Sequence, residues 1–148
     1  MKNHLESANK YYSHYVISEV FHNFQQGFLL TDGIFEVAGE EECFWFLKIM
    51  TDAQDHLNCY DSQTWTLKRI AYKKFRIEAT DCDGNLIFEQ DKLQCNFFFD
   101  DLVVCMKDNL IMLPSEYLSA TRSQLKITAN PYYLRFQLMN TEMSKRIG

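Results

Sequence analysis

Asp52, Asp55, His56 and Cys59 recur at spacings of three and four. On a helix that places oxygen, nitrogen and sulfur donors along one face, the arrangement a divalent metal such as zinc takes. The same residues also describe a solvated helix end, with His56 near the negative pole of the helix dipole. Metal sites announce themselves by clustered His and Cys, so no metal and no other cofactor is expected. Five cysteines (Cys43, Cys59, Cys82, Cys95, Cys105) and the histidines His14, His22 and His56 permit a thiol–imidazole pair, but folding, not spacing, makes such pairs. Asp81-Cys82-Asp83-Gly84-Asn85 has the opening of a calcium loop; its twelfth position is Lys92, where an acid is required. A hairpin turn is the expectation there. The chain also lacks G-x-S-x-G, G-x-x-x-x-G-K, H-E-x-x-H and G-x-G-x-x-G. The expectation is a protein that is not an enzyme, with a cysteine-dependent or metal-dependent enzyme as the alternative.

Binding chemistry has more candidates. Glu40, Glu41 and Glu42 form one acidic run, and Phe97-Phe98-Phe99-Asp100-Asp101 sets aromatics beside acids. Three consecutive aromatics in a strand cannot share a face, so one, taken as Phe98, is either left for a protein contact or buried under a helix. Asp32 could bind a ligand beside Tyr11 and Tyr12 or simply cap a helix. Lys68, Arg69, Lys73, Lys74 and Arg76 are a basic run that could meet RNA or DNA, or form the wet face of two strands.

Two kinds of element must position these groups. Thr31-Asp32-Gly33 opens a helical stretch that reaches Leu57, interrupted or restarted at Gly39, with Glu40 to Glu42 at the positive end of its second segment. Cys43, Phe46, Leu47, Met50, Ala53 and Leu57 make its buried stripe. An earlier helix is expected within residues 1–24, on Tyr12, Tyr15, Val16, Glu19, Val20, Asn23 and Phe24. From Thr64 the period becomes two: Trp65 and Leu67, then Phe75, Ile77 and Ala79, then Leu86-Ile87-Phe88 continuing through Leu93, Cys95 and Phe97. Leu102 to Met106 and Leu110 to Leu113 are nearly continuous apolar runs around Lys107-Asp108-Asn109, hence central strands. The expected fold is α+β, N-terminal helices packed on one face of an antiparallel, mainly meander sheet of about five strands. Residues 118–148 read either as a short strand at Leu125 to Ile127 followed by another through Tyr132, Leu134, Phe136 and Leu138, or as a helix opened by Asn130-Pro131.

With 148 residues, 47% hydrophobic, the chain is expected to form one domain, 1–148, with its own core. A net charge of -5 speaks against general nucleic-acid affinity. Unpaired cysteine spacing, a polar stretch from Met1 to Lys10 and the lack of any long apolar run lead to the expectation of a cytoplasmic protein with reduced thiols and no membrane contact.

Taken in order, Tyr11-Tyr12-Ser13-His14, Leu30-Thr31-Asp32-Gly33, Phe44-Trp45-Phe46-Leu47 with Gln54, Thr64-Trp65-Thr66-Leu67 and Leu113-Pro114-Ser115-Glu116-Tyr117 resemble an uncharacterised domain family of bacteria, cyanobacteria, phages and plasmids. The resemblance covers roughly residues 4–117, making 1–117 the family-like core and 118–148 an extension. The usual Thr-Asp-Phe-Pro is replaced here by Asn96-Phe97-Phe98-Phe99. The resemblance brings no catalytic residue; it implies a mobile-element habitat. The function expected is therefore a small acidic protein-binding protein: a non-catalytic, anti-CRISPR-like inhibitor of a basic, nucleic-acid-binding host defence nuclease. A nucleic-acid module built on the basic run is a further alternative, and homodimerisation through a sheet edge suits any of these.

Overall fold

A computed structural model describes residues 7–117; both expectations for residues 118–148 lie outside it. Strand alternation dictates the scaffold. In β3 (Ser62–Ala71) Gln63, Trp65 and Leu67 are buried, in β4 (Lys74–Thr80) Phe75, Ile77 and Ala79, and in β6 (Asp101–Lys107) Leu102, Val104 and Met106. Register makes these side chains neighbours on one face: Trp65 pairs with both Ala79 and Val104, and Leu67 with both Ile77 and Leu102. The other face carries Thr64, Lys68, Arg76 and Glu78.

The helices α2 (Asp32–Glu40) and α3 (Phe44–Asp52) cover the apolar face through Ile34, Val37 and Ala38 and through Phe46, Leu47 and Met50. Each set recurs at helical spacing, as a one-sided stripe must. The single long helical stretch expected over Thr31 to Leu57 is thus three pieces, the last being α4 (Gln54–Leu57). The break is not at Gly39, which stays helical. Glu42 takes a left-handed conformation (φ 54°), and the Cys43 N–H reaches back to the Ala38 carbonyl at 2.9 Å, closing α2 as a C-terminal cap. Glu40 to Glu42 therefore sit at the joint between two helices.

The early helix also shrinks, to α1 (Ala8–Tyr11), followed by irregular chain and the short strands β1 (His22–Asn23) and β2 (Leu29–Leu30). Its partial three-four repeat marks no single buried face: Tyr12 is in the core, whereas Val16 and Val20 are exposed.

The fold is α+β. Among the described residues the sheet has seven strands, ordered β1-β2-β7-β6-β3-β4-β5, where β5 is Leu86–Leu93 and β7 Leu110–Met112. It is mixed, because β2 runs parallel to β7 while every other pair is antiparallel. Nor is it a simple meander: after β5 the chain returns across the sheet and β6 pairs with β3, a Greek-key order. Cys95 and Phe97, read as a continuing strand, belong to this crossover. Cys95, Phe97 and Phe99 turn into the core and leave Phe98 outside, 39% exposed. Arg69 secures the crossover, its Nε donating to Asp100 at 3.0 Å and its Nη2 to the carbonyls of Phe97 and Phe99, while the guanidinium lies 4.6 Å from the Phe75 ring centre.

Candidate functional site

The helix α1 docks where β6 lacks a strand neighbour. Ser7 caps the helix by accepting from the Asn9 N–H, and the Asn9 amide then acts as a substitute strand, donating to the Val103 carbonyl at 2.8 Å and accepting from the Val103 N–H at 2.6 Å. This sets Tyr11 and Tyr12 between the two acidic groups singled out by sequence. Tyr12 donates its hydroxyl to the Glu41 carboxylate. Its ring meets Phe99 edge-on at 6.3 Å, and Tyr11 lies 5.5 Å from the same ring. Phe98 packs edge-on against Phe99 at 5.1 Å, and Asp100 follows. The fold thus brings Glu40 to Glu42, Tyr11, Tyr12, Phe98 and Asp100 into one connected region. Burial first, then the Glu41 carboxylate, pushes the Tyr12 hydroxyl far above its ordinary value, so it remains a proton donor. Neighbouring Tyr15 is raised as well, by burial and then by Glu36, Glu40, Asp32 and Glu116. Asp101 is only partly exposed, and one of its carboxylate oxygens is buried without a hydrogen-bond partner among the described residues.

The basic run is engaged differently. Lys68 pairs with Glu78 at 2.5 Å, Arg69 with Asp100 at 3.0 Å, and Lys74 and Arg76 share Asp91 at 3.8 and 2.9 Å. Lys73 lies over the exposed Tyr72 ring. Four of the five cations are therefore matched by carboxylates on or beside the same strands.

Asp32 does not cap α2; Thr31 does, accepting from the Ile34 N–H at 3.4 Å. Asp32 instead takes the His22 Nε2 at 2.9 Å and the Glu19 N–H at 2.8 Å, pinning the preceding loop to the helix. This His22–Asp32 pair was missed by sequence reasoning; only the strand β1 brings the imidazole there. Of the proposed metal group, Asp52 is tied to Lys48 and Gln25, and its carboxyl is held below the ordinary range first by the Lys48 hydrogen bond. No cluster of three or more His, Cys, Asp or Glu side chains placed to hold a metal ion occurs among the described residues. The Asp81 carboxylate is satisfied by its own turn, accepting from the N–H groups of Asp83 and Asn85 at 2.9 Å each, the hairpin reading. All five cysteines are free; Cys59 and Cys82 are exposed, while burial pushes Cys43 up to about 12 and raises Cys95 and Cys105.

The ordered motifs converge inside the molecule. The Glu116 carboxylate, wholly buried, accepts from the Thr31 hydroxyl at 2.5 Å and from the N–H groups of Gly33 and Leu113, each at 3.0 Å. Gln54 and Gln63 exchange two amide hydrogen bonds at 2.9 and 2.8 Å, and Gln63 also accepts from the Trp65 indole N–H at 2.9 Å. A family of unknown function (DUF6876) matches residues 6–117. The chain belongs to that family. In this chain Glu116 ties the first turn of α2 to the residue that follows β7, and Gln54 ties α4 to β3. No curated protein and no solved structure matches the chain. No helix among the described residues is long and apolar enough to cross a membrane.

Proposed function

We propose that this family member is a non-catalytic protein-binding protein, an inhibitor of a host defence nuclease in the anti-CRISPR manner. The surface around α1 would be its contact. The observation that carries this reading is the continuous path from Glu41 through Tyr12 and Phe99 to Phe98 and Asp100. Through the buried Tyr12 and Phe99 rings it links the acidic run Glu40 to Glu42 to one outward-facing aromatic, the composition that complements a basic nucleic-acid groove, while Asp100 is already paired with Arg69. The mobile-element habitat implied by the resemblance gives such a protein its setting, in the cytoplasm, where the target nuclease works.

The basic strands give less support to a nucleic-acid module, since their cations already have carboxylate partners. A thiol enzyme is less favoured because burial raises three of the five thiols, against the direction a nucleophile requires.

The test is capture of a partner from host lysate by the tagged full chain, compared with E40K/E42K and F98A. A basic nuclease should be retained by the parent chain and lost at least about tenfold with either variant, since an anchoring aromatic or a charge reversal at an interface centre costs about 2 kcal/mol or more. Retention of the same nuclease by both variants, with unchanged inhibition, would refute this surface.

A further inference from the structure

A second exposed surface is formed by the chain before β1 together with Phe35 of α2. Val16, Ile17, Val20 and Phe35 are 48%, 64%, 43% and 44% exposed. They are held in place: Asp32 accepts from the Glu19 N–H, the Asp32 N–H donates to Ser18 Oγ at 2.8 Å, and the His22 ring stacks on Phe35 at 4.1 Å. Glu19, Asp32 and Glu36 add negative charge around these apolar groups. Such a fixed apolar patch with an acidic border has the composition of a docking surface.

We infer that residues 118–148 of the same chain dock on it. Three observations select this occupant. The chain leaves the described fold beside the patch, because Ser115 Oγ donates to the Tyr15 carbonyl at 2.7 Å and Tyr117 packs in the cluster of Phe21. The segment has the complementary charge: it holds five of the 15 Lys and Arg residues (Arg122, Lys126, Arg135, Lys145, Arg146) but only Glu142 of the 20 acids. It also brings Leu125, Ile127, Leu134, Phe136 and Leu138 for the apolar part. A tethered segment meets its site at an effective concentration near the millimolar range, so modest contacts suffice. A second copy would instead bring the same acids and the same net charge of -5.

Zero-length carbodiimide cross-linking of the full chain tests this, with peptide mapping of the monomeric product. Lys126 or Lys145 should be joined to Glu19, Asp32 or Glu36 within one chain. In the full-chain variant I17S/V20S, which removes the apolar contact without adding carboxylates and whose exposed positions should leave the melting transition in place, the yield should fall about tenfold. Cross-links found only in covalent dimers would assign the patch to a second copy and overturn the inference. So would links to other carboxylates that the double substitution leaves unchanged, or no link from these lysines at all. The result is independent of partner capture through Glu40 and Glu42, which the preceding charge reversals read separately.

Discussion

Glu116 stands against Gly33 so closely that no side chain fits between them: a Cβ added at position 33 would meet a Glu116 carboxylate oxygen and the Leu113 Cδ1, both at 2.7 Å. Glycine is needed here for space. The carboxylate takes one orphan N–H at the start of α2, that of Gly33, a task usually left to a neighbouring residue, from a site 83 positions away. Because its three donors are buried, removing Glu116 leaves all of them without partners. E116A should lower stability by about 3 kcal/mol or more, and G33A by about 2 kcal/mol. In an E116A background G33A should cost less, since its clash with the carboxylate is gone and only the contact with the end of the Leu113 side chain remains. Urea melts of the four chains check the cycle; additive effects would contradict the packing described.

The same carboxylate gives stability a pH signature. Burial raises Glu116 above its ordinary value near 4.5, and the hydrogen bonds from Thr31, Leu113 and Gly33 offset only part of that. A folded value above the unfolded one means that the native state binds more protons in the interval between them, so this group's contribution grows as pH falls through that window. The stability difference between the parent chain and E116Q should therefore shift in favour of the parent as pH is lowered from 7 toward 4.5. Asp52, Asp81 and Asp91 work the opposite way, being held below their ordinary value, and the stability they contribute is lost below about pH 4 in both chains. Thermal melts of the pair across this range decide it; a constant difference would contradict the stated direction.

Thiol accessibility reports on the crossover. Cys59 and Cys82 should react with an aromatic disulfide at rates typical of free cysteine, and Cys43 and Cys95 far more slowly. Arg69 holds the carbonyls of Phe97 and Phe99 over the core. R69A should therefore open this segment and raise the labelling rate of Cys95 about tenfold or more while leaving Cys43 slow. Pulse labelling with mass spectrometry reads each site. Equal acceleration at Cys43 and Cys95 would mean global unfolding instead.

Glu42 combines backbone strain with a place in the proposed contact surface. A non-glycine residue in the left-handed region costs about 1 kcal/mol or more relative to glycine. E42G should accordingly raise stability by about 1 kcal/mol while removing one of the charges offered to the partner. A chemical melt and the capture assay together test this, and a loss of stability would show that the Glu42 side chain contributes a contact that outweighs its strain.

What the sequence determined by itself was local. Alternation at Trp65, Leu67, Phe75, Ile77 and Ala79 specified strands and their buried face, because side-chain direction in a strand has a period of two. The stripe Phe46, Leu47, Met50 specified a helix on that face, and Asp81 to Asn85 specified a hairpin by turn chemistry. Tertiary structure alone decided the rest. The return of β6 to pair with β3 depends on which surfaces the crossover can bury, and Cys95, Phe97 and Phe99 read the same as a continuing strand. The parallel β2–β7 pair joins segments about 80 residues apart, too short individually to leave a pattern. Likewise Glu116 looks like any acidic residue after a proline until folding delivers it to Thr31 and Gly33. Periodicity records how a residue faces its own element, whereas contacts between distant elements arise only when those elements are packed.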